Sequence, residues 1–198
     1  MFYTRAVITD AEPDEARARA RFEASDRLTT LVPAPPAEPF QAATTALCDA
    51  VTGGELRDVQ RASTAALAVL AAHFRVDAPA LRVLDIQPHR TREGVTTYKL
   101  YGDYDLEAQR IRVWLRTAIR EQVSTPKSFL STLVHEFCHH LDCVGLGLLE
   151  TPHTRGFYHR VDQLYHLGLG TPPEARRPLH WARSRGVWRI DWTRSRAR

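Results

Sequence analysis

Two histidines one helical turn apart are the residues of this sequence best placed to do chemistry. They stand in the segment His135-Glu136-Phe137-Cys138-His139, and a spacing of four puts both imidazoles on one face of a helix. Two imidazoles there can bind one metal ion, while Glu136 stands beside the ion rather than on it. From that position the carboxylate can take a proton from zinc-bound water. The segment therefore predicts a mononuclear Zn²⁺ site with Glu136 as the catalytic base of a hydrolase.

The third ligand of such a site has several candidates in the sequence. A catalytic zinc usually has three protein ligands and one open position. His153 follows His139 by fourteen residues, and His159, Glu150 and Asp142 are alternatives. Asp142 comes only three residues after His139, which favours a role as hydrogen-bond acceptor for an imidazole N–H. The residues alone leave the choice open.

The two histidines need a helix that is fixed on a core, and the sequence predicts one. Pro126 precedes an apolar stripe at helical spacing, and Gly145 and Gly147 should end the helix. The stripe consists of Leu130, Leu133, Val134, Phe137, Leu141 and Val144. It lies opposite the histidines, so a packed helix would present both imidazoles on its other face. A second helix is predicted after a loop, at about 154–167.

The segment before this helix predicts a small sheet. Residues 81–86, 94–101 and 110–116 have the composition or alternation of strands, and Gly102-Asp103 suits a turn. We therefore predict a small, mostly antiparallel sheet beside the helix. With the helices on either side, the fold class is α+β.

The N-terminal part of the chain is predicted to be helical and to contain the clearest boundary. Residues 13–28 are rich in Ala, Arg and Glu and indicate a charged, mostly exposed helix. The proline-rich residues 32–39 indicate a stiff linker. Two further helices are predicted at 40–51 and 56–75. The predicted organisation is an N-terminal helix and linker at 1–39 and the catalytic domain, with a basic tail, at 40–198.

Composition indicates a globular protein that is not embedded in a membrane. The chain has 198 residues, of which 43% are apolar and 25% charged. No run approaches the roughly 20 apolar residues that a membrane span needs, and the N-terminus does not look like a signal peptide. Three cysteines are too few for a disulfide framework. We therefore expect a cytoplasmic protein.

The C-terminal tail carries the basic charge and supports a different function. The chain has a net charge of +4, and residues 171–198 hold eight arginines against two acidic residues. Interleaved Arg and Trp side chains, with Trp181, Trp188 and Trp192, can bind phosphates and stack on bases. The alternative to a hydrolase is therefore a non-catalytic, zinc-containing module that binds nucleic acid through the tail. A second interpretation of the tail is that its Trp residues pack on the domain while its Arg residues lie in water.

Residues 133–164 resemble the SprT-like zinc metallopeptidases, the group that includes the Spartan DNA–protein crosslink proteases. The H-E-x-x-H segment is followed by His153-Thr-Arg-Gly-Phe157, where the family pattern usually reads His-Gly-x-x-Phe. His153 and Phe157 are in place, but the glycine falls at Gly156. The resemblance extends over 98–167 and leaves the first 75 residues and the tail outside it.

The resemblance implies a zincin-like fold in which a strand hairpin precedes the active-site helix. It also implies His153 as the third ligand and zinc-dependent hydrolysis of peptide bonds in a protein or peptide substrate. The family's frequent C-terminal cysteine-ligated zinc module is absent, because no cysteine follows Cys143. The DNA-linked role is therefore not carried over. A zinc hydrolase acting on a non-peptide amide is a further alternative.

Overall fold

Five helices and small β-sheets form the described part of the chain. A computed structural model describes residues 8–92, 95–149, 152–191 and 194–195, with the backbone alone at 90–92 and 95–99. The elements are α1 Ala16–Arg27, α2 Ala37–Gly53, α3 Leu56–Phe74, β1 Ala80–Ile86, β2 His89–Arg92, β3 Val95–Lys99, β4 Gly102–Asp105, β5 Arg110–Arg116, α4 Pro126–Val144, α5 Arg155–Gly168, β6 Trp181–Ser184 and β7 Val187–Ile190. The predicted α+β class is confirmed. No helix among these residues is both long enough and apolar enough to cross a lipid bilayer.

The helix that carries the two histidines begins and packs as predicted. Thr125 caps α4 by accepting a 3.2 Å hydrogen bond from the backbone N–H of Ser128, and Pro126 occupies the first turn. The apolar stripe is buried except at its last member, Val144, which is 39% exposed. The stripe packs into the core that α2, α3 and α5 share with the sheet. This packing holds the opposite face of α4 in a fixed orientation.

The main sheet is mixed, with strand order β1-β5-β4. Strand β5 pairs in parallel with β1 and antiparallel with β4. Two separate hairpins, β2–β3 and β6–β7, are also antiparallel. The strand pairs are therefore mostly antiparallel, as predicted, and the β1–β5 pair is the parallel exception among the described residues. Ile111, Val113 and Leu115 of β5 are fully buried, as their alternation predicted. The predicted turn at Gly102-Asp103 is instead the start of β4.

The tail forms a hairpin that the sequence reading did not predict. Strands β6 and β7 are joined by Arg185-Gly186, whose φ angles are 50° and 79°. Two positive φ angles in succession are those of a type I′ turn, whose twist suits a two-residue hairpin. Arg-Gly is a weaker signal for this turn than Asn-Gly, which explains why the tail lacked a recognisable pattern.

Helix α1 packs against α5 through a buried arginine. Arg160 is fully buried and forms an ion pair with Asp142, and it also donates to the backbone carbonyls of Ser25 and Leu28. A Cβ on Gly156 would lie 2.0 Å from the carbonyl oxygen of Ser25, so a side chain has no room there. The glycine at position 156 therefore permits the close approach of α1.

Candidate metal centre

Three imidazoles converge on one point between α4 and α5. The Nε2 atoms of His135 and His139 lie 3.2 Å apart, those of His135 and His153 lie 3.2 Å apart, and those of His139 and His153 lie 3.1 Å apart. The three nitrogens thus form a nearly equilateral triangle. They are close enough together to bind one metal ion. The spacing of the H-E-x-x-H segment predicted His135 and His139, and the resemblance implied His153.

Different elements position the three histidines. His135 and His139 are held by α4, whereas His153 lies in the loop before α5. Next to His153, Thr154 caps α5 by accepting a 3.1 Å hydrogen bond from the backbone N–H of Phe157. The Phe157 ring stacks on His139 at a centroid distance of 4.5 Å and meets His135 edge-on at 4.9 Å. The Phe157 ring therefore packs against two of the three histidines.

Burial keeps the imidazoles of α4 neutral. Burial, and then the charge of His153, lowers the pKa of His135 to about 3. Burial, with His135 and His153 nearby, lowers the pKa of His139 well below its ordinary value. At neutral pH each ring is therefore uncharged and has one unprotonated nitrogen, which is the form that binds metals. Nitrogen lone pairs facing one another at this distance repel unless a cation lies between them.

Glu136 lies beside the cluster and is 5% exposed. Burial, and then the charge of Asp103, raises the pKa of Glu136 to about 8. Strand β4 approaches this carboxylate closely, because a Cβ on Gly102 would lie 2.9 Å from both Cγ and Oε1 of Glu136. The glycine allows the strand edge and the carboxylate to line one space.

An open cavity connects the cluster with β4. Its volume is about 370 Å³, and its lining includes the three histidines, Glu136, Gly102 and Asp103. Asp103 is held by Arg112, with bonds of 2.8 and 2.6 Å from the guanidinium to its two oxygens. A molecule bound in the cavity could therefore contact the histidine cluster, the buried carboxyl group and the strand edge together.

The other candidates for the third ligand are placed differently. Nε2 of His159 accepts a 3.2 Å hydrogen bond from the indole N–H of Trp181, outside the cluster. Asp142 uses both carboxylate oxygens to bind Arg160, and no bond to an imidazole is found for it among the described residues. The expected role of Asp142 as an acceptor for a histidine ligand is thus not what the structure shows. Glu150 lies outside the described residues.

His140 is a buried packing residue of α4. Its Nε2 lies 2.8 Å from the carbonyl oxygen of Asp77, so that nitrogen donates. Nδ1 must then accept, and it lies 3.0 Å from the hydroxyl of Tyr104 on β4. The pair fixes β4 against α4. Cys138 is fully buried.

Tyr158 and the tail tryptophans pack on the domain. The Tyr158 ring lies parallel to His153 at 5.8 Å, and its hydroxyl donates to the carbonyl oxygen of Ile8 at 3.4 Å. Trp188 lies under the guanidinium of Arg155, 4.3 Å from the ring centroid. Trp192 is outside the described residues. Nucleic-acid binding by the tail stays a prediction.

Family models, curated proteins and solved structures were all compared with this chain, and none matches it. The resemblance to SprT-like metallopeptidases therefore stays a prediction, and the functional argument depends on the geometry of the site.

An acidic residue near the N-terminus contacts the cluster and was missed by the sequence reading. The backbone N–H of His153 donates to Oδ2 of Asp10 at 2.8 Å, and the N–H of Asp10 donates to the carbonyl oxygen of His153 at 3.0 Å. Hydrogen bonds from His153 outweigh burial and hold the pKa of Asp10 below its ordinary value. A contact over 143 residues leaves no local pattern, so no sequence signal could have indicated it.

Proposed function

We propose that this protein is a zinc-dependent metallopeptidase, in which His135, His139 and His153 bind the metal and Glu136 is the general base. The observation that carries the proposal is the triangle of three Nε2 atoms next to a buried carboxyl group. A structural zinc site is normally closed by four protein ligands and needs no adjacent base. Among the described residues, three ligand atoms converge, and a cavity adjoins them.

The residues fit zinc in both type and spacing. With Zn–N bonds of about 2.0–2.1 Å and tetrahedral angles, two ligand nitrogens should lie about 3.3 Å apart. The observed separations are 3.1 to 3.2 Å. Three imidazole nitrogens also suit zinc better than magnesium or calcium, which prefer oxygen ligands.

The buried Glu136 is suited to carry a proton in both directions. When bound, zinc supplies a Lewis acid that polarises the scissile carbonyl group and the attacking water. Glu136 takes the proton from that water and later delivers it to the leaving amine. Burial favours the protonated form of this carboxyl group, so it can hold the proton between the two steps, whereas a neighbouring cation favours the carboxylate at the start.

The strand edge beside the cavity supports a peptide as the substrate. Strand β4 pairs with β5 on one side and is the outer strand of its sheet. An extended peptide can add to such an edge through main-chain hydrogen bonds. Gly102 and Asp103 of this strand line the cavity with Glu136. A small non-peptide amide would make no use of this edge.

Measuring bound metal and peptide hydrolysis in the same preparations tests the proposal. We expect about one zinc per chain, by mass spectrometry, in the wild type and in Glu136→Gln. His153→Ala should hold clearly less zinc, and His73→Ala, a histidine on α3 outside the cluster, should match the wild type. Peptide cleavage should disappear in Glu136→Gln.

Each result bears on a different part of the proposal. Full zinc in His153→Ala would remove the third ligand, and no zinc in the wild type prepared with zinc would remove the metal site. Hydrolysis that survives Glu136→Gln would leave the metal site in place and refute the role of the base.

A further inference from the structure

The third histidine is held by a short N-terminal segment, residues 8–10, which we call the N-terminal strap. His135 and His139 are fixed by the hydrogen bonds of α4, but His153 lies in a loop and has no such support. The strap provides it. The backbone N–H of Asp10 donates to the carbonyl oxygen of His153, and the carboxylate of Asp10 accepts from the backbone N–H of His153.

The strap is itself anchored to the C-terminal hairpin. The N–H of Thr9 donates to the carbonyl oxygen of Trp188 at 2.9 Å, and Oγ1 of Thr9 accepts from the N–H of Trp188 at 3.0 Å. Ile8 forms a β-bridge with Arg189. Thr9 is 4% exposed. Asp10 is therefore attached to β7 on one side and to His153 on the other.

The same carboxylate oxygen also faces the imidazole of His153. Oδ2 of Asp10 lies 3.5 Å from Nδ1 of this ring, while Nε2 faces the other two histidines. A neutral imidazole has one N–H and one lone pair, and the partner of one nitrogen decides which tautomer is present. A carboxylate next to Nδ1 favours the proton there and leaves the Nε2 lone pair for a metal.

We infer that Asp10 is a positioning residue, which fixes both the backbone of His153 and the tautomer of its ring so that Nε2 faces the metal. The inference rests on the proposed metal site and extends it to a residue that binds no metal itself. Loss of such a partner typically lowers metal affinity about 10- to 100-fold.

The test compares zinc affinity in four proteins by competition with a fluorescent chelator. The full chain is used as wild type, Asp10→Ala, Asp10→Asn and Glu12→Gln. Asp10→Ala should weaken zinc binding about 10- to 100-fold, and Asp10→Asn less, because its amide oxygen still accepts from the N–H of His153. Glu12→Gln removes one negative charge two residues after Asp10, in an exposed pair with Arg19, and should bind as the wild type does.

A second measurement separates positioning from general loss of structure. Long-range ¹H–¹⁵N spectra of the metal-free proteins report the tautomer of His153, which is assigned by comparison with His153→Ala. We expect the Nδ1–H form in the wild type and a mixture in Asp10→Ala. Asp10→Asn, of nearly the same shape, keeps the test valid if Asp10→Ala does not fold.

The outcomes distinguish this inference from the proposed function. Zinc affinity within twofold of the wild type in both Asp10 variants, or an unchanged His153 tautomer in Asp10→Ala, refutes the role of Asp10. Either result leaves the proposed function untouched. A wild type that binds zinc and cleaves no peptide, with weaker binding in Asp10→Ala, refutes the peptidase and supports the positioning role. A wild type that binds no zinc overturns both.

Discussion

Gly102→Ala is the change that most directly tests the packing between strand β4 and helix α4. The added methyl group would lie 2.6 Å from Cγ2 of Thr132 and 2.9 Å from Cγ of Glu136. Neither neighbour moves easily, since Thr132 is β-branched on a helix and Glu136 is almost fully buried. Strand and helix must therefore separate.

The geometry gives the size of the effect. Raising the 2.6 Å contact with Thr132 to an ordinary van der Waals separation requires a shift of about 1 Å, and overpacking of this kind costs about 1–3 kcal/mol of folding free energy. A misplacement of about 1 Å at a catalytic group lowers the rate on the order of 100-fold. Zinc content should stay at the wild-type level, because the three ligands belong to α4 and the loop before α5.

The assay combines urea unfolding, zinc content and kcat/KM on a peptide. Thr132→Ser removes Cγ2 and keeps the hydroxyl that donates to the carbonyl oxygen of Ser128 at 3.2 Å. In the double variant with Gly102→Ala it should restore part of the lost stability. Gly53→Ala is the matched control, because a Cβ there has nothing within 4 Å. Wild-type stability and rate in Gly102→Ala, or no coupling with Thr132→Ser, would refute the reasoning.

Three further predictions concern the surroundings of the site. Burial raises the pKa of the Asp26 carboxyl group, but hydrogen bonds from Arg155 outweigh it and the net pKa is lowered. Asp26 should therefore contribute about 1–3 kcal/mol at neutral pH, lost as the pH falls below about 4, and urea unfolding of Asp26→Asn should show no such pH dependence. Gly156→Ala should lower stability to urea by about 3 kcal/mol or more, because its Cβ would lie 2.0 Å from the carbonyl oxygen of Ser25; a loss under 1 kcal/mol would contradict this contact. His159→Gln should keep one zinc per chain by mass spectrometry, and loss of zinc would make His159 a ligand after all.

The parts of the fold that the sequence predicted are those with a local period. The stripe of α4 and the alternation of β5 identified both elements, and the spacing of four placed His135 and His139 on one helix face. His153 needed a resemblance, because residue spacing alone left His159, Glu150 and Asp142 open. The local pattern thus identified two of the three clustered histidines but not the third.

The rest depended on contacts between distant parts of the chain. The parallel pairing of β1 with β5 follows from packing and leaves no signature in either strand. Arg160 looked like an ordinary charged residue of α5, yet it is fully buried and binds both Asp142 and the end of α1. Gly102 suited a turn as well as it suits a close approach to Glu136, and composition could not separate the two roles.

The anchoring of the N-terminal strap also sets an order of events during synthesis. Thr9 binds Trp188 across 179 residues, so the strap cannot be seated until Trp188 has left the ribosome. His135 and His139 can come together as soon as α4 forms, since they are one helical turn apart. The support of His153 arrives last, because closing so long a loop must wait for both of its ends. The metal centre therefore reaches its final geometry late, when nearly all of these residues have been made.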